Sequence, residues 1–273
     1  MVRRRSTQGV LSTGAGNSIG RIKTPSYGGH VQAIILAGGK GERLYPYSAT
    51  LPKPLMPLVD MPVLEILLRQ LRRYDVTDVI LAVSHLGHLI HAYFGDGDRF
   101  GLRISYSFEE EPLGTAGPIA NVIDRMADNF IVANGDLLTT LDIAAFSEAH
   151  LRSGAEATIG VFEKEWRIDF GLIEADEDLT FRDYREKPAQ THLVSMGIYA
   201  LKRQAVKEHL EPGVHLDMPD LMLRFRDAGK SVKCHLADGY WLDIGRPEDF
   251  ALAQQIFAAE RARFLGPQES GAT

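Results

Sequence analysis

The sequence predicts an α/β fold: three layers built on a central, mostly parallel mixed sheet, with a smaller β-rich lobe in the second half. Three observations carry this expectation. Short apolar runs at 31–36, 79–83, 104–106 and 130–133 are rich in β-branched or aromatic residues and have amphipathic stretches between them, which is the pattern of βαβ units. From residue 157 the order changes to four consecutive strand-like runs. Finally, 273 residues with 45% hydrophobic content can bury one large core, and α/β folds often reach this length as one domain.

Each element has a local reason. Arg3-Arg4-Arg5 opens a segment rich in Ser, Thr, Gly and Asn that lacks the apolar core of a signal peptide, so residues 1–29 are expected to form a disordered tail. The run 31–36 is the first strand. Leu64, Leu67, Leu68 and Leu71 recur at helical spacing and predict a helix over 63–74. A second helix is expected over 142–151, with Asp142 as its N-cap. Strands follow at 157–162, 171–174, 181–186 and 194–200, then helices at 218–228 and 247–261, the last opening on Pro247. One domain is therefore expected over 30–265, with halves of about 30–150 and 151–265 and a short tail at 266–273. In such a sheet, ligands bind beyond the carboxyl ends of the strands.

Composition narrows the function. A formal net charge of −6 argues against generic nucleic-acid binding, which favours a basic surface. No run approaches the ~20 apolar residues of a membrane span. The single cysteine, Cys234, precludes an intrachain disulfide and suits a reducing cytoplasm. It lies in an alternating apolar stretch and is expected to be a buried small hydrophobe. The apolar face of 251–257 could serve a dimer or the core.

Four blocks carry chemistry. The first is Leu36-Ala37-Gly38-Gly39-Lys40-Gly41-Glu42-Arg43-Leu44, followed by Leu51-Pro52-Lys53-Pro54. Its glycines let backbone N–H groups approach a bulky anion, and Arg43 and Lys53 supply neutralising charge. It is neither a Walker loop, which needs Lys-Ser/Thr after the last glycine, nor a Rossmann dinucleotide fingerprint, which needs glycine where Leu44 stands. The second block, Glu109-Glu110-Glu111-Pro112-Leu113-Gly114-Thr115-Ala116-Gly117, reads as an acidic turn entering a helix with Thr115 as cap. The third is a strand ending in Asn134-Gly135-Asp136. The fourth is Phe170-Gly171-Leu172-Ile173 followed by Arg185-Glu186-Lys187-Pro188, and Tyr240-Trp241-Leu242-Asp243-Ile244-Gly245 comes after it.

Taken in order, these blocks resemble the sugar nucleotidyltransferases, whose signature reads Leu-Ala-Gly-Gly-x-Gly-x-Arg-Leu followed by Pro-Lys-Pro; the likeness runs from about 31 to 250. The resemblance implies a Rossmann-like fold whose first half binds an NTP and whose β-rich lobe binds a sugar 1-phosphate. It assigns Leu36, Ala37, Gly38, Gly39, Lys40 and Gly41 to the nucleotide phosphates, and Glu109, Pro112, Gly114, Thr115, Asn134 and Gly135 to the rest of the nucleotide. It makes Arg43, Lys53 and Lys187 catalytic. Gly171, Glu186, Lys187 and Ser195 would meet the sugar phosphate, and Asp136 and Asp243 would hold Mg²⁺, a hard cation suited to one or two carboxylates plus phosphate oxygens.

The second block is most similar to mannose- and heptose-1-phosphate guanylyltransferases, which favours GTP; adenylyl- and thymidylyltransferases carry similar loops. Val194-Ser195-Met196-Gly197-Ile198-Tyr199 departs from the asparagine-containing strand of many guanylyltransferases, so hexose, heptose and cyclitol phosphates all stay open. No hexapeptide repeat follows Pro247, so the trimerising C-terminal domain of some relatives is expected to be absent. Two other readings compete. A silent regulatory subunit would be expected to lack one of Arg43, Lys53, Asp136, Lys187 or Asp243, and a nicotinamide dehydrogenase would need the missing glycine.

Overall fold

A computed structural model describes residues 31–39 and 41–266. The expectations for the 1–29 tail, for Lys40 and for 267–273 lie outside the described residues.

The first half forms as the periodicity implies. Strands β1 (Gln32–Leu36), β2 (Asp78–Val83), β3 (Arg103–Phe108) and β4 (Asn129–Asn134) are joined through helices α1 (Val63–Arg73) and α2 (Gly87–Phe94) and short helical turns. Helix α1 stops where Asp75 turns left-handed at φ 60°, a common way for a helix to end. A short strand, β5 (Leu137–Thr139), and helix α3 (Ile143–Ser153) follow. Asp142 caps α3 as expected, its Oδ1 accepting the Ala145 N–H at 2.9 Å.

The second half contains β6 (Ala157–Arg167), β7 (Leu172–Ala175), β8 (Phe181–Arg185), β9 (Ala189–Lys202), helix α4 (Met218–Asp227), β10 (Val232–Leu236), β11 (Trp241–Asp243) and helix α5 (Pro247–Leu265). Its longest strands do not form a sheet of their own but join that of the first half. The central sheet runs β10-β6-β9-β4-β1-β2-β3; β9 is antiparallel to both neighbours, and the other pairings are parallel. The lobe is therefore an outgrowth of that sheet. Strand β6 and the matching part of β9 continue as a two-stranded overhang, with Arg167 paired to Ala189, and β7 and β8 add a hairpin.

Both overhanging strands outrun their sequence-predicted lengths. The added residues of β6, Glu163 to Arg167, are exposed and carry no apolar alternation. Ladder hydrogen bonds hold them extended, with exposed side-chain contacts such as Trp166 against His192 beside them.

Successive residues of a strand point to opposite faces, and β1 shows what this does. Ala33 and Ile35 pack with Leu64, Leu67, Leu68 and Leu71 of α1 on one face. Ile34 joins Leu221 and Phe225 of α4 on the other. Burying each such large side chain contributes ~1.5–3 kcal/mol, so β1 is fixed in register from both sides.

A third apolar cluster joins α5 to the edge of α1. Ala253, Phe257 and Phe264 meet Val63, Ile66, Leu138 and Ile244 there. The apolar face of 251–257 thus serves the core through Ala253 and Phe257. Helix α5 outruns its expected end, with a backbone break at Glu260.

Two expectations are corrected. Cys234 is exposed: β10 is the edge strand, and of its face only Val232 packs against the core. Thr115 does not cap the short helix that follows it. Its hydroxyl accepts the Met218 N–H at 2.8 Å and so caps α4, while Thr115 N and Oγ1 both donate to Asp217 Oδ1. No described helix is long and apolar enough to cross a membrane.

Candidate active site

At the carboxyl ends of β1, β2 and β4 lies a cleft of about 1090 Å³. It gathers Leu36, Gly38, Gly39, Gly41, Arg43, Lys53, Glu109, Pro112, Gly114, Thr115, Asn134 and Asp136. These residues come from four separate stretches of chain and converge because their strands are neighbours. Ala37 and Gly135 support the cleft from beneath. Ala37 is 2% exposed and its N–H extends the β1–β2 ladder to Ala82 O at 2.8 Å, while Gly135 N donates to Leu36 O at 2.9 Å.

The glycine loop has local reasons for its glycines. Gly41 adopts φ +62° and Gly39 φ +102°, a region L side chains rarely enter. Gly38 stands so close to β2 that a Cβ would lie 2.9 Å from Ser84 Oγ. Ser84 Oγ in turn accepts the Gly39 N–H at 3.1 Å. Ser84 and His85 line the cleft as well and were not singled out from the sequence; the available signal was that Ser84 follows the last residue of a parallel strand, where ligands bind.

The charged floor of the cleft is set by a second ladder. Strand β11 pairs antiparallel with β5, placing Asp243 opposite Leu137, and Ile244 N donates to Asp136 O at 3.2 Å. Asp136 and Asp243 are thereby brought together across a hundred residues of chain. The ammonium of Lys53 pairs with Asp136 and lies 3.8 Å from Asp243 Oδ1. Burial raises the Asp243 carboxyl above its ordinary value, and the charge of Asp136 adds to that, while Lys53 and Arg43 oppose it. Arg43 lies against Gly245, where a Cβ would meet the guanidinium at 3.6 Å.

Asp136 Oδ1 is buried without a hydrogen-bond partner. With its other oxygen on Lys53 and Asp243 alongside, the pair suits Mg²⁺, which takes few protein carboxylates and completes its shell with water and phosphate oxygens. No group of three or more His, Cys, Asp or Glu placed to hold a metal ion stands among the described residues.

On the far wall, Glu109 Oε2 accepts the Leu113 N–H at 3.2 Å. Burial raises the Glu109 carboxyl, and that hydrogen bond opposes the rise. Gly114 takes φ +76°, and a Cβ there would meet Leu216 O at 2.5 Å. Its lack of a side chain is thus required by packing within the protein.

The residues assigned to the sugar phosphate lie in and beside the overhang, not in the cleft lining. Tyr184 Oη donates to Glu186 Oε2 at 2.7 Å, and a Cβ on Gly171 would collide with that same hydroxyl. Lys187 is exposed and left-handed at φ +42°, an uncommon state for a non-glycine residue. Ser195 Oγ lies 3.0 Å from Tyr199 Oη and accepts the Gly197 N–H at 3.3 Å, at an irregularity in the β9–β6 register. There Trp241 Nε1 donates to Met196 O at 3.0 Å, tying β9 to the strand that carries Asp243.

Fold and cleft together define an α/β protein that presents a glycine loop, cations and paired carboxylates at the carboxyl ends of a mostly parallel sheet. Residues 32–260 match the nucleotidyl transferase family, and the chain belongs to that family. A UTP–glucose-1-phosphate uridylyltransferase of Synechocystis sp. is 33% identical over 239 residues, 81% of this chain and 61% of the relative. A mannose-1-phosphate guanylyltransferase of Mycobacterium tuberculosis is 33% identical over 226 residues, 81% of this chain and 62% of the relative. The chain thus spans about six-tenths of the length of these curated relatives. Among solved structures, HddC from Yersinia pseudotuberculosis complexed with GMP-PN superposes with a TM-score of 0.66 at 28% identity, covering 83% of this chain and 99% of that one.

Proposed function

We propose that this protein condenses an NTP, preferentially GTP, with a sugar 1-phosphate to give an NDP-sugar and pyrophosphate. The observation that carries the reading is the Lys53 ammonium held against Asp136 and 3.8 Å from Asp243 at the floor of a cleft rimmed by the glycine loop. Two polyanions repel strongly unless cations lie between them, and among the described residues Arg43 and Lys53 bring cations into this cleft. A phosphate oxygen of the sugar 1-phosphate attacks the α-phosphorus in line; the new O–P bond forms as the bond to the β-phosphate oxygen breaks, and pyrophosphate carries the electron pair away.

The residues divide this work. The glycine loop and Arg43 hold the β- and γ-phosphates, Lys53 stabilises charge developing at the α-phosphate, and Lys187 aligns the nucleophile. Asp136 and Asp243 would hold Mg²⁺, which when bound supplies Lewis-acid neutralisation of phosphate charge. Glu186, Gly171 and Ser195 complete the sugar side.

Glu109 supports guanine. A carboxylate can accept from guanine N1–H and N2–H₂ together, whereas uracil offers one ring N–H between two carbonyl oxygens. The GMP-PN complex of the Yersinia neighbour and the guanylyltransferase name of the mycobacterial relative support the same base. The reading includes a cytoplasmic location and a homodimer, for which the exposed Trp166, Phe170 and Phe181 of the lobe are among the exposed apolar side chains; analytical ultracentrifugation decides the latter.

The test is pyrophosphate release from ATP, GTP, CTP, UTP and dTTP against mannose, glucose, heptose and cyclitol 1-phosphates. GTP with a hexose or heptose 1-phosphate is expected to be fastest. Silence across the whole matrix would sink the reading in favour of a non-catalytic subunit.

A further inference from the structure

We propose that Tyr184 is the positioning residue of the sugar half: its hydroxyl fixes the Glu186 carboxylate so that one oxygen faces the sugar hydroxyls, and Gly171 is glycine to make room for it. The inference rests on the nucleotidyltransferase reading above and assigns a role to a residue which that reading leaves out.

Two contacts converge on one hydroxyl. Tyr184 Oη donates to Glu186 Oε2 at 2.7 Å. Glu186 is the first residue after β8, and the hydrogen bond shows its carboxylate lying back against Tyr184. The same hydroxyl occupies the space into which a Cβ on residue 171 would project. Across the hairpin, Tyr184 is paired with Ile173, which keeps its ring over the start of β7.

The chemistry follows from donor counting. A glutamate on an exposed segment samples many rotamers, and freezing them on binding costs affinity. A phenol that donates to Oε2 leaves Oε1 as the acceptor for a sugar hydroxyl and holds it there before the sugar arrives. The hydrogen bond to the ionised carboxylate also holds the phenol proton, raising Tyr184 above the usual tyrosine value. Tyr184 acts through Glu186, and no contact of its own with the reacting phosphates is required.

Gly171 takes on a different meaning as a result. Its lack of a side chain serves Tyr184, so a Gly171→Ala change should displace the phenol and mimic its loss.

The experiment is steady-state pyrophosphate release by the full chain with GTP and mannose 1-phosphate, comparing wild type with Tyr184→Phe, Glu186→Gln and the double variant. Phenylalanine keeps the ring and removes only the hydroxyl. Tyr184→Phe is expected to raise KM for mannose 1-phosphate about tenfold while KM for GTP and kcat stay within twofold, and the double variant is expected to match Glu186→Gln alone. Thermal melts within about 2 °C of wild type, a conservative margin for a small surface change, establish that folding is intact; should Tyr184→Phe melt early, the same KM comparison is made at a temperature below its transition. Where wild type turns over, an unchanged sugar KM in Tyr184→Phe, or penalties that multiply in the double variant, overturns the role of Tyr184 alone. A wild type silent with every NTP and sugar 1-phosphate overturns the parent reading and this proposal with it.

Discussion

The ammonium of Lys53 lies 3.8 Å from Oδ1 of Asp243 while pairing with Asp136, so one cation from the N-terminal half compensates two carboxylates that the β5–β11 ladder forces together. Removing it leaves two acidic groups facing each other and, on the function proposed above, takes a cation away from the α-phosphate. Lys53→Ala is expected to lower kcat by about two to three powers of ten, the usual loss when a group stabilising transition-state charge is deleted. Arg43→Ala should cost several powers of ten with the fold intact, since Arg43 is exposed. Circular dichroism beside pyrophosphate release checks both, and wild-type turnover in either variant would contradict the phosphate-binding roles of these two cations.

Ser84 holds the glycine loop through Gly39 N–H at 3.1 Å. Ser84→Ala frees that amide and lets the loop wander. The expected outcome is a KM for GTP raised about fivefold with kcat changed less than threefold, because a single neutral hydrogen bond is worth ~0.5–1.5 kcal/mol. An unchanged KM for GTP would show that the loop is held without Ser84.

Gly197 sits at φ +72°, and a Cβ there would lie 2.5 Å from Asn134 Nδ2. Gly197→Ala therefore combines backbone strain with a push on a cleft residue. Stability should fall by about 1–3 kcal/mol in urea titration, and nucleotide affinity should fall with it. A variant as stable as wild type would mean that β9 can shift its irregular register at little cost.

His150 gives the protein a pH-dependent stability. It is 2% exposed, with Nδ1 2.9 Å from Thr158 Oγ1 and Nε2 3.2 Å from Asn129 Oδ1. Burial, helped by the charge of Lys202, lowers its pKa from 6.5 to about 4. A depressed histidine means that the unfolded chain takes up a proton first as pH falls. The stabilisation is full above pH 6.5 and is lost as pH drops toward 4, by about 3 kcal/mol. Below that, both states are protonated and this group contributes no further loss. Urea unfolding at pH 7, 6 and 5 should show the decline, and His150→Leu should flatten it; an equal slope in both proteins would remove His150 as the cause.

The legible parts of the fold are those where side-chain periodicity and backbone state agree. Strand β1, helix α1, the Asp142 cap and the Pro247 start can be read directly because each is decided by neighbours within a few residues. The overhang of β6 and β9 could not be read, because its residues are held by ladder hydrogen bonds that any side chain permits. The glycine loop, Lys53, Glu109 and Asp136 carry their chemistry in the sequence, and the cleft assembles them. Ser84, the Thr115 cap on α4 and the Tyr184 contact are pairings whose partners only the fold brings near, and Cys234 is exposed because an edge strand has a single neighbour. Gly114 and Gly171 were legible as special positions, though the crowding that demands glycine there comes from Leu216 and Tyr184.

Strand β9 lies antiparallel between β4 and β6 and carries Gly197 beside Asn134 at one point and the overhang at another. A continuous hydrogen-bonded sheet has no hinge of the kind that lets two lobes swing as rigid bodies. Any approach of the sugar side toward the nucleotide side must then come from bending of the two-stranded overhang and its hairpin. On the function proposed above, the stiffness of that ribbon, set by ladder bonds and by exposed cross-strand pairs such as Arg185 with Glu174, is a property on which turnover should depend.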